Sequence, residues 1–487
     1  MSDAMSDAAG DATTQVAPEV APRSAAAWGL SRSALPGLQA LHQRCAHGIS
    51  ATICDHQTHH ANADGWWFGT WMNDLFFGQR GGLWCGSPAE RGVFLAELRK
   101  IARHVEPDGT VPYQVEPDGR LAHFNPPGVD LDRAAEFVLM VARAWETTGD
   151  DAFALELLPA CRRVVDGLAR RDLDGDLLPE GRCLPAPITA VGSCGSVSYI
   201  GDTCQNDWKD FGVALFYHHA LLALSGMCAD LGQPGAHALR ARADAVAAAA
   251  RAAFWTGHGF AAWIDRDGTR HDDWITGNNT HAIITGMADE RMAAAIADTI
   301  EREREALLER TPGRVRLGVF VPGQCSNPPE DYWNGGAWPL VTGPIQIALA
   351  RTGRWATLER FLERLAQRTP VTEHGFHEAY DGATGAPGHA DGLLMNNGGF
   401  IWGLMEGALG LGLSGRTMTL RNRVANTLLP ATARCAWRGA IVALEWVAGD
   451  GSITLDGVEL PISDGVATIT APARAKAPMR IRVAALG

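Results

Sequence analysis

The sequence lacks the motifs of several large enzyme classes, and it lacks an excess of basic residues. It contains no Gly-rich phosphate loop, no Gly-x-Ser-x-Gly and no His-Glu-x-x-His, which argues against kinases, dehydrogenases, serine hydrolases and zinc proteases. The 42 Lys and Arg face 55 Asp and Glu, so the formal net charge is −13. Nucleic acids and anionic membrane surfaces attract basic faces, so we expect neither as a partner.

Paired cysteine motifs and long apolar runs are also missing. The ten cysteines are scattered without a Cys-x-x-Cys pair, which predicts buried reduced thiols rather than zinc ligands. Residues 1–25 have Asp where a secretion signal needs Lys or Arg, and no stretch reaches the roughly 18 apolar residues of a membrane span. We therefore expect a cytoplasmic protein with a flexible tail at 1–25.

Helical hairpins dominate the remainder up to residue 414. In 130–171, two apolar stripes of helical period are separated by a stop signal at Gly149, and helices joined by so short a turn lie antiparallel. The same apolar periodicity predicts two further helical hairpins, 208–231 with 236–255 and 337–352 with 354–368. It also predicts single helices near 32–48, 88–104, 286–308 and 396–411. These roughly ten to twelve helices are apolar on more than one side, which predicts a closed toroid over 26–414.

The pattern changes after residue 414. Residues 415–487 hold short alternating runs, such as 440–446 and 452–455, separated by turn sequences rich in Asp and Gly. Such runs are typical of β-hairpins. We predict a small antiparallel β-domain that caps the helical domain and carries no catalytic group.

A tryptophan-rich segment, 63–74, is the first candidate site. It holds three Trp and two Asp, and a core segment would not carry carboxylates among indoles without partners. We expect Trp71 to stack on a sugar ring and Asp74 to accept sugar hydroxyls, with a capped helix start as the alternative. Three nearby histidines lack matched ligand spacing, so no metal is expected.

The second candidate segment, 201–212, precedes a very apolar helix. Asp207 suits the helix N-cap, because a carboxylate there accepts hydrogen bonds from free backbone N–H groups. Asp210, two residues after Trp208, is then left to project into a pocket. A carboxyl beside an indole and away from water has a raised pKa, as a general acid at neutral pH requires.

Two later segments complete the candidate site. Glu378 lies between aromatic residues in 375–382 and is the natural second carboxylate, although only a closed fold would bring it near Asp210. Residues 332–339 (YWNGGAWP) predict a substrate pocket, since the Gly-Gly step admits a ligand close to the backbone and two indoles offer walls. Residues 272–279 are a weaker candidate for the pocket lining.

An acidic segment, 172–180 (DLDGDLLPE), has a spacing that suits calcium. It is too short for a full EF-hand loop, and no helical pattern flanks it as an EF-hand requires. An acidic hairpin turn is the preferred interpretation.

Residues 332–339 resemble the YxNGGxWP segment of (α/α)6-barrel glycosidases, which include the glucosidase domain of glycogen debranching enzymes and the plant neutral invertases. Residues 376–382 (FHEAYDG) continue the resemblance in the same order, and 208–210 (WKD) is similar to the motif with the general acid. The resemblance covers about 50–413 and implies a mainly α fold, an (α/α)6 toroid.

The resemblance also implies roles for individual residues. Asp210 would be the general acid and Glu378 the general base, with no cofactor and no metal. The further residues expected to bind the carbohydrate substrate are Trp71, Asp74, Asp207, Trp208, Trp333, Asn334, Trp338 and His377. Two departures stand out: Asn73 replaces the usual Arg before Asp74, and the flanks of the acid motif differ, so Asp207 competes with Asp210 for the acid role.

We therefore predict an exo-acting, glucosidase-like hydrolase of an oligosaccharide or glycoside. Its carboxyl groups would stand roughly 6.5–9.5 Å apart and invert the anomeric configuration. The segment Asp207–Asp210 is also similar to the DWND of cellobiose-type phosphorylases, which lack the base, so a phosphorylase is one alternative. A non-catalytic sugar-binding protein is the other. The sequence gives no indication of oligomeric state.

Overall fold

A computed structural model describes residues 28–54, 58–63, 69–122, 131–181, 203–204, 206, 208–471 and 478–486. The predicted tail at 1–25 lies outside these residues. The described part of the chain contains twelve α-helices: α1 (Pro36–Ala51), α2 (Met72–Cys85), α3 (Pro88–Ala102), α4 (Leu131–Thr148), α5 (Asp151–Ala169), α6 (Phe211–Asp230), α7 (Ala236–Phe254), α8 (Thr276–Thr285), α9 (Glu290–Arg302), α10 (Thr342–Arg351), α11 (Trp355–Arg368) and α12 (Leu394–Gly403).

The helices form two concentric rings. The inner ring is closed, because α2, α4, α6, α8, α10 and α12 contact one another in that order and α12 contacts α2. The other six helices pack outside, with α3 on α2, α5 on α4, α7 on α6, α9 on α8, α11 on α10, and α1 on α12. This arrangement confirms the predicted (α/α)6 toroid.

The connections between helices differ in length at the two ends of the rings. The inner helices α2, α4, α6, α8 and α10 each pass to their outer partner through a short turn, such as the two residues between α4 and α5, whereas α12 and its partner α1 are the last and first helices of the chain. Each outer helix returns through a long connection, for example 170–210 between α5 and α6. The long connections therefore all meet at the end of the toroid where the inner helices begin, and they are the segments free to carry a site.

Two inner helices were not assigned from the sequence, although a capped helix start in 63–74 was the alternative interpretation and α2 does begin there, at Met72. Helix α2 contains three glycines, and α8 is rich in Gly, Asn and Thr, all of them poor helix formers. The glycines of α2 serve packing: a Cβ at Gly81 would lie 2.4 Å from the carbonyl oxygen of Gly398 in α12. Helix propensity was overridden here by the close contact of two inner helices.

Eighteen strands are present in the described residues. Strand β1 (Gly29–Arg32) precedes α1, and the next eight are short pieces in the long connections: β2 (Thr70–Trp71), β3 (Gln114–Val115), β4 (Leu121–Ala122), β5 (Lys209–Asp210), β6 (Trp263–Ile264), β7 (Arg270–His271), β8 (Ala379–Tyr380) and β9 (Pro387–Gly388). The other nine follow the last helix: β10 (Leu411–Ser414), β11 (Thr417–Arg421), β12 (Ala431–Trp437), β13 (Ala440–Ala448), β14 (Ile453–Leu455), β15 (Val458–Glu459), β16 (Ile462–Ser463), β17 (Val466–Thr470) and β18 (Met479–Ala485).

The C-terminal strands form two sheets. One has the order β1-β12-β13-β18-β14-β15 and the other β10-β11-β17-β16, with all pairs antiparallel except β13 with β18. Strand β13 alternates buried and less buried residues, as the period-two pattern predicted. The expected β-region is confirmed, with two additions. Strand β1, from before the first helix, joins the larger sheet, and the predicted boundary at 414/415 falls within the β10–β11 hairpin.

Helix α6 is long and apolar enough to span a membrane by length and composition. However, 72% of its most apolar window is buried inside the protein. The helix is a wall of the inner ring, and its hydrophobicity is accounted for by contacts with α4, α7 and α8.

Candidate active site

The starts of the inner helices bring the predicted site residues to one end of the toroid. Asp74 lies in the first turn of α2, and Asp210 immediately precedes α6. Trp338 precedes the short 3-10 turn Pro339–Val341 that leads into α10, and Glu378 lies in the connection before α12. Residues far apart in the sequence therefore meet because parallel inner helices all begin on the same side.

The two predicted catalytic carboxyls lie on different walls of this end. Helix α6, which Asp210 caps, and helix α12, which Glu378 precedes, are separated by two inner helices in either direction around the ring. They are therefore opposite one another across the axis. A general acid and a general base that act on the two faces of a sugar ring need such an opposed placement.

Asp210 is buried and held by two hydrogen bonds. Its Oδ1 accepts from the backbone N–H of Val213 at 3.1 Å, and its Oδ2 accepts from Asn206 Nδ2 at 2.6 Å. Asp210 is thus the N-cap of α6, a role that the sequence analysis wrongly gave to Asp207. The cap falls on Asp210 because α6 begins at Phe211, three residues later than Asp207 would require. Asp207 itself lies outside the described residues.

Lys209 anchors the strand that carries Asp210 to the acidic segment 172–180. The Lys209 ammonium pairs with Asp174 at 2.6 Å, with Asp176, and with Glu180 at 3.4 Å. Burial lowers the pKa of Lys209, but the hydrogen bonds to the two aspartates outweigh it, so the net shift is upward. Among the described residues this is the acidic group that suits a metal ion, and the lysine ammonium already pairs with three of its four carboxylates.

Glu378 is buried and is held from both sides of its carboxyl group. Its Oε1 accepts a hydrogen bond from the Tyr332 hydroxyl at 2.8 Å, and its Oε2 faces the backbone N–H of Ala390 at 3.4 Å. Its backbone is fixed by Asn396 of α12, whose Nδ2 donates to the carbonyl oxygens of His377 and Glu378 at 2.7 and 2.8 Å. The glutamate is therefore oriented by two neighbouring walls of the ring.

The two indoles of 332–339 stack on each other. The ring centroids of Trp333 and Trp338 are 4.0 Å apart with planes 10° from parallel, and both side chains are almost fully buried. The ring of Tyr332 packs edge-on against Trp338. A sugar cannot stack on the two indole faces that are in contact with each other. The indole pair instead supports Tyr332, and through Tyr332 it supports Glu378, whether or not the outer faces also line the substrate pocket.

Asn334 and His377 use their polar groups within the loops. Asn334 accepts from the backbone N–H of Phe320 at 2.6 Å and donates to the carbonyl oxygen of Asn327 at 2.9 Å, which ties three loop segments together. The His377 side chain is half-buried beside Tyr380, with ring centroids 6.0 Å apart. Substrate contacts of both residues stay predictions.

Trp71, Asp74 and Trp208 line the same end of the toroid. Trp71 caps α2 and packs edge-on against Tyr113, while Asp74 is buried one turn further along. Trp208 is half-buried, has a left-handed backbone (φ 61°), and carries the Arg266 guanidinium 4.6 Å above its ring. A tryptophan held with positive φ next to a catalytic candidate is typical of backbone strain at functional sites. Residues 64–68 of the first motif lie outside the described residues.

The sequence reading missed the residues that hold the carboxyls in place. These residues are Asn206, Lys209, Tyr332 and Asn396, and among them Asn396 carried a signal in the sequence, a polar side chain within an apolar helix. Near Asp210, Gly212 faces Asn278, since a Cβ at Gly212 would lie 2.9 Å from Asp210 Oδ1 and 3.3 Å from Asn278 Oδ1. This places Asn278, in the weakly predicted 272–279 segment, beside the acid candidate.

The histidines near residue 60 have partners that account for them. His59 Nδ1 is 2.7 Å from Glu97 Oε2 in the buried core, and His60 Nδ1 accepts from the Gly69 backbone N–H at 3.0 Å. His56 lies outside the described residues.

Comparisons with known proteins match part of the chain to a glycoside hydrolase domain and its fold to solved glycosidases. Residues 199–402, which include Asp210, Tyr332 and Glu378, match the mannosylglycerate hydrolase MGH1-like glycoside hydrolase domain. The chain is similar to the GH63 mannosylglycerate hydrolase of Thermus thermophilus (TM-score 0.56, 15% identity, 74% of this chain and 99% of that one). It is also similar to the GH78 rhamnosidase of Bacillus sp. GL1 (TM-score 0.56, 16% identity, 95% of this chain and 44% of that one).

Sequence similarity to curated proteins is shorter. Probable alkaline/neutral invertase F of Arabidopsis thaliana is 28% identical over 120 residues, 23% of this chain and 24% of the invertase. Cytosolic invertase 1 of Oryza sativa subsp. japonica is 28% identical over 120 residues, 23% and 21% of the two chains. The matched part thus spans less than a quarter of these relatives.

The fold, the domain match and these similarities agree with one another: the chain has the (α/α)6, or six-hairpin, fold, and its residues 199–402 match a glycoside hydrolase domain of the mannosylglycerate hydrolase MGH1-like type.

Proposed function

We propose that the protein is an exo-acting, inverting hydrolase of small glycosides, with Asp210 as general acid and Glu378 as general base. The observation that carries the proposal is the pair of buried carboxyls held at the same end of the toroid, on opposite sides of its axis. Asp210 protonates the glycosidic oxygen, and Glu378 takes a proton from the water that attacks the opposite face of the sugar.

The surroundings of each carboxyl support its role. The two hydrogen bonds to Asp210 fix the plane of its carboxyl group, which aligns a proton with the leaving oxygen. The Tyr332 hydroxyl holds Glu378 in one orientation. Because Glu378 is present as a candidate base, water is the expected nucleophile, which favours hydrolysis over phosphorolysis.

At the opposite end of the toroid, the Arg143 guanidinium pairs with Glu406 and Arg80 lies 4.5 Å over the Trp402 ring, and these side chains line a cavity of about 260 Å³. Exo action rests instead on the placement of both carboxyls at the end where the long connections meet, since a terminal sugar that enters there reaches them first. A small glycoside is the proposed substrate class because the similar enzyme from Thermus thermophilus is named for mannosylglycerate.

Substitution of the two carboxyls tests the roles. Asp210→Asn and Glu378→Gln are expected to lower kcat/KM roughly 10²- to 10⁴-fold on any hydrolysed member of a panel of mannosylglycerate and α- and β-linked di- and trisaccharides. Asn caps helices as well as Asp does, so Asp210→Asn removes the acid while keeping the start of α6. Rates close to wild type in either variant would contradict the assignment.

Matched controls separate catalysis from folding. Asp289→Asn changes an equivalent N-cap on the outer helix α9, where Asp289 accepts from the Met292 N–H at 2.8 Å. Glu373→Gln changes an exposed carboxylate five residues before Glu378. Both variants should keep wild-type rates. Asp207→Asn decides between the two acid candidates: a loss there, with Asp210→Asn active, transfers the role to Asp207.

A further inference from the structure

Two cysteines that are far apart in the sequence face each other beside the site. Cys204 precedes Asp210, and Cys325 precedes the 332–339 segment, yet their sulfur atoms are 2.9 Å apart, with the Cys204 thiol donating to Cys325. The two residues form an antiparallel β-bridge. The sequence reading expected only isolated buried thiols, because no spacing pattern links these two positions.

The backbone geometry of this bridge suits a covalent bond between the two sulfurs. The N–H of Ser326 donates to the carbonyl oxygen of Thr203 at 3.0 Å, one residue outside each cysteine. Cys204 and Cys325 are therefore a non-hydrogen-bonded pair, the position in antiparallel strands where opposite Cα atoms approach most closely, at about 4.5 Å. That separation lies at the short end of the range that disulfides span.

The two thiols differ in reactivity. Cys325 is half-buried, whereas Cys204 is only 1% exposed. The hydrogen bond from Cys204 lowers the pKa of Cys325 to about 7, while burial raises the pKa of Cys435 to about 12 and raises those of Cys45 and Cys161 as well. Cys325 is the thiol prepared for attack, since the thiolate is the nucleophile.

The pair also connects the supports of the two carboxyls. Two residues after Cys204, Asn206 donates to Asp210. Two residues after Cys325, Asn327 accepts from Asn334 through its carbonyl oxygen and from the Thr203 hydroxyl through its side chain. A bond between the two sulfurs would tie the segment that orients Asp210 to the loop that contains Tyr332.

We propose that Cys204 and Cys325 are a redox-active pair that closes to a disulfide and joins these two loops. With a low-molecular-weight disulfide as oxidant, the Cys325 thiolate attacks one of its sulfurs, forms a mixed disulfide and releases one thiol. Cys204, losing its proton, then attacks the Cys325 sulfur and displaces the second thiol. The protein loses two hydrogen atoms, and the oxidant gains both as two thiols.

The pairing is tested by mapping thiols in the folded wild-type protein. The protein is incubated with oxidised glutathione or with dithiothreitol, blocked with N-ethylmaleimide, digested and analysed by mass spectrometry. We expect a crosslinked peptide joining Cys204 to Cys325 after glutathione disulfide and both cysteines blocked after dithiothreitol. Complete blocking of both after oxidation, or a crosslink from either one to Cys183 or Cys194, would overturn the proposal.

Single variants test the order of attack. Cys204→Ser should trap Cys325 as a stable mixed disulfide with glutathione, whereas Cys325→Ser should leave the buried Cys204 free of glutathione. Cys54→Ser, which changes a half-buried cysteine outside the pair, should leave the crosslink unchanged. The reverse pattern in the two pair variants would contradict the assignment of Cys325 as the attacking thiol. These outcomes do not depend on the proposed glycosidase reaction.

Discussion

Tyr332 joins the indole pair of 332–339 to the proposed base. Its hydroxyl reaches Glu378 Oε1 at 2.8 Å, and its own backbone adopts the left-handed region (φ 46°), which costs energy for a residue other than glycine. Such a conformation persists only where the surroundings enforce it, here through the packing of its ring against Trp338. The strain supports a positioning role for this tyrosine.

Removal of that hydroxyl should weaken catalysis more than binding. We expect Tyr332→Phe to lower kcat roughly 10- to 100-fold, the usual loss when a charged group loses a hydrogen-bond donor, with little change in KM. Steady-state kinetics measures the split. The control is Tyr217→Phe, which removes a buried hydroxyl from α6 that lies near Arg242 of α7. A change confined to KM would show that Tyr332 binds substrate instead.

Glu136 is a residue whose charge opposes folding. It is fully buried in α4, and neither carboxylate oxygen has a hydrogen-bond partner among the described residues. Burial raises its pKa well above the usual range, and the nearby Asp132 raises it further. The Glu136 carboxyl therefore ionises at a lower pH in the unfolded chain than in the folded protein. Its contribution to the free energy of unfolding is full below about pH 4.3, the ordinary pKa of Glu, and is lost as the pH rises toward the folded pKa.

Neutralising Glu136 should therefore stabilise the protein at higher pH. We expect Glu136→Gln to raise the free energy of unfolding by about 1–3 kcal/mol at pH 8, because glutamine removes the cost of protonating this carboxyl on folding, and by less at pH 5. Thermal unfolding at the two pH values measures the difference. The control is Glu459→Gln, an exposed carboxylate on β15. Equal or lower stability of Glu136→Gln at pH 8 would refute this account.

At the scale of elements, the start of α6 depends on the acidic turn packed beside it. Strand β5 pairs with β6 through Asp210 and Trp263, and Lys209 forms a bridge with Glu180. The Lys209 ammonium is nearly buried, while Asp174 and Asp176 are nearly half exposed. The ammonium thus occupies the position that a cation would take among these carboxylates.

Removing the ammonium should loosen the start of α6. We expect Lys209→Ala to lower the free energy of unfolding by about 1–3 kcal/mol, less than for a fully buried ion pair because two partners are partly exposed. Calcium should recover part of the loss, since the oxygens of Asp172, Asp174, Asp176 and Glu180 lie within 4.8 Å of one another. Thermal unfolding with and without calcium tests this. Lys209→Arg, which keeps the charge, should lose little, and an equal loss in both variants would show that charge is irrelevant.

At the scale of the whole molecule, local patterns predicted the outer helices well and the inner ring less well. Helices such as α5 and α7 follow apolar periodicity and end at clear signals, so their bounds were nearly correct. Helices α2 and α8 could not be recognised, because their glycines and polar residues are explained only by contacts with other inner helices. The closure of the ring likewise rests on contacts between helices distant in the sequence.

In the candidate site, too, local motifs predicted some features, whereas others depend on contacts between distant parts of the chain. Asp210 and Glu378 were chosen from local motifs, and the structure places both at the end of the toroid where the inner helices begin. The cap of α6 was assigned three residues too early, because the sequence does not show where the strand β5 ends. The support from Asn396 could not be foreseen, since it joins a helix interior to a loop through a long-range hydrogen bond.

The anomeric configuration of the first product tests the central proposal most directly. Purified enzyme is mixed with a hydrolysed glycoside of the panel, with and without phosphate, and the released sugar is followed by proton NMR before mutarotation. The account predicts free sugar of inverted configuration, formed at the same rate without phosphate. Retention of configuration would contradict Glu378 as a base acting on water. A sugar phosphate formed only with phosphate would instead make the enzyme a phosphorylase.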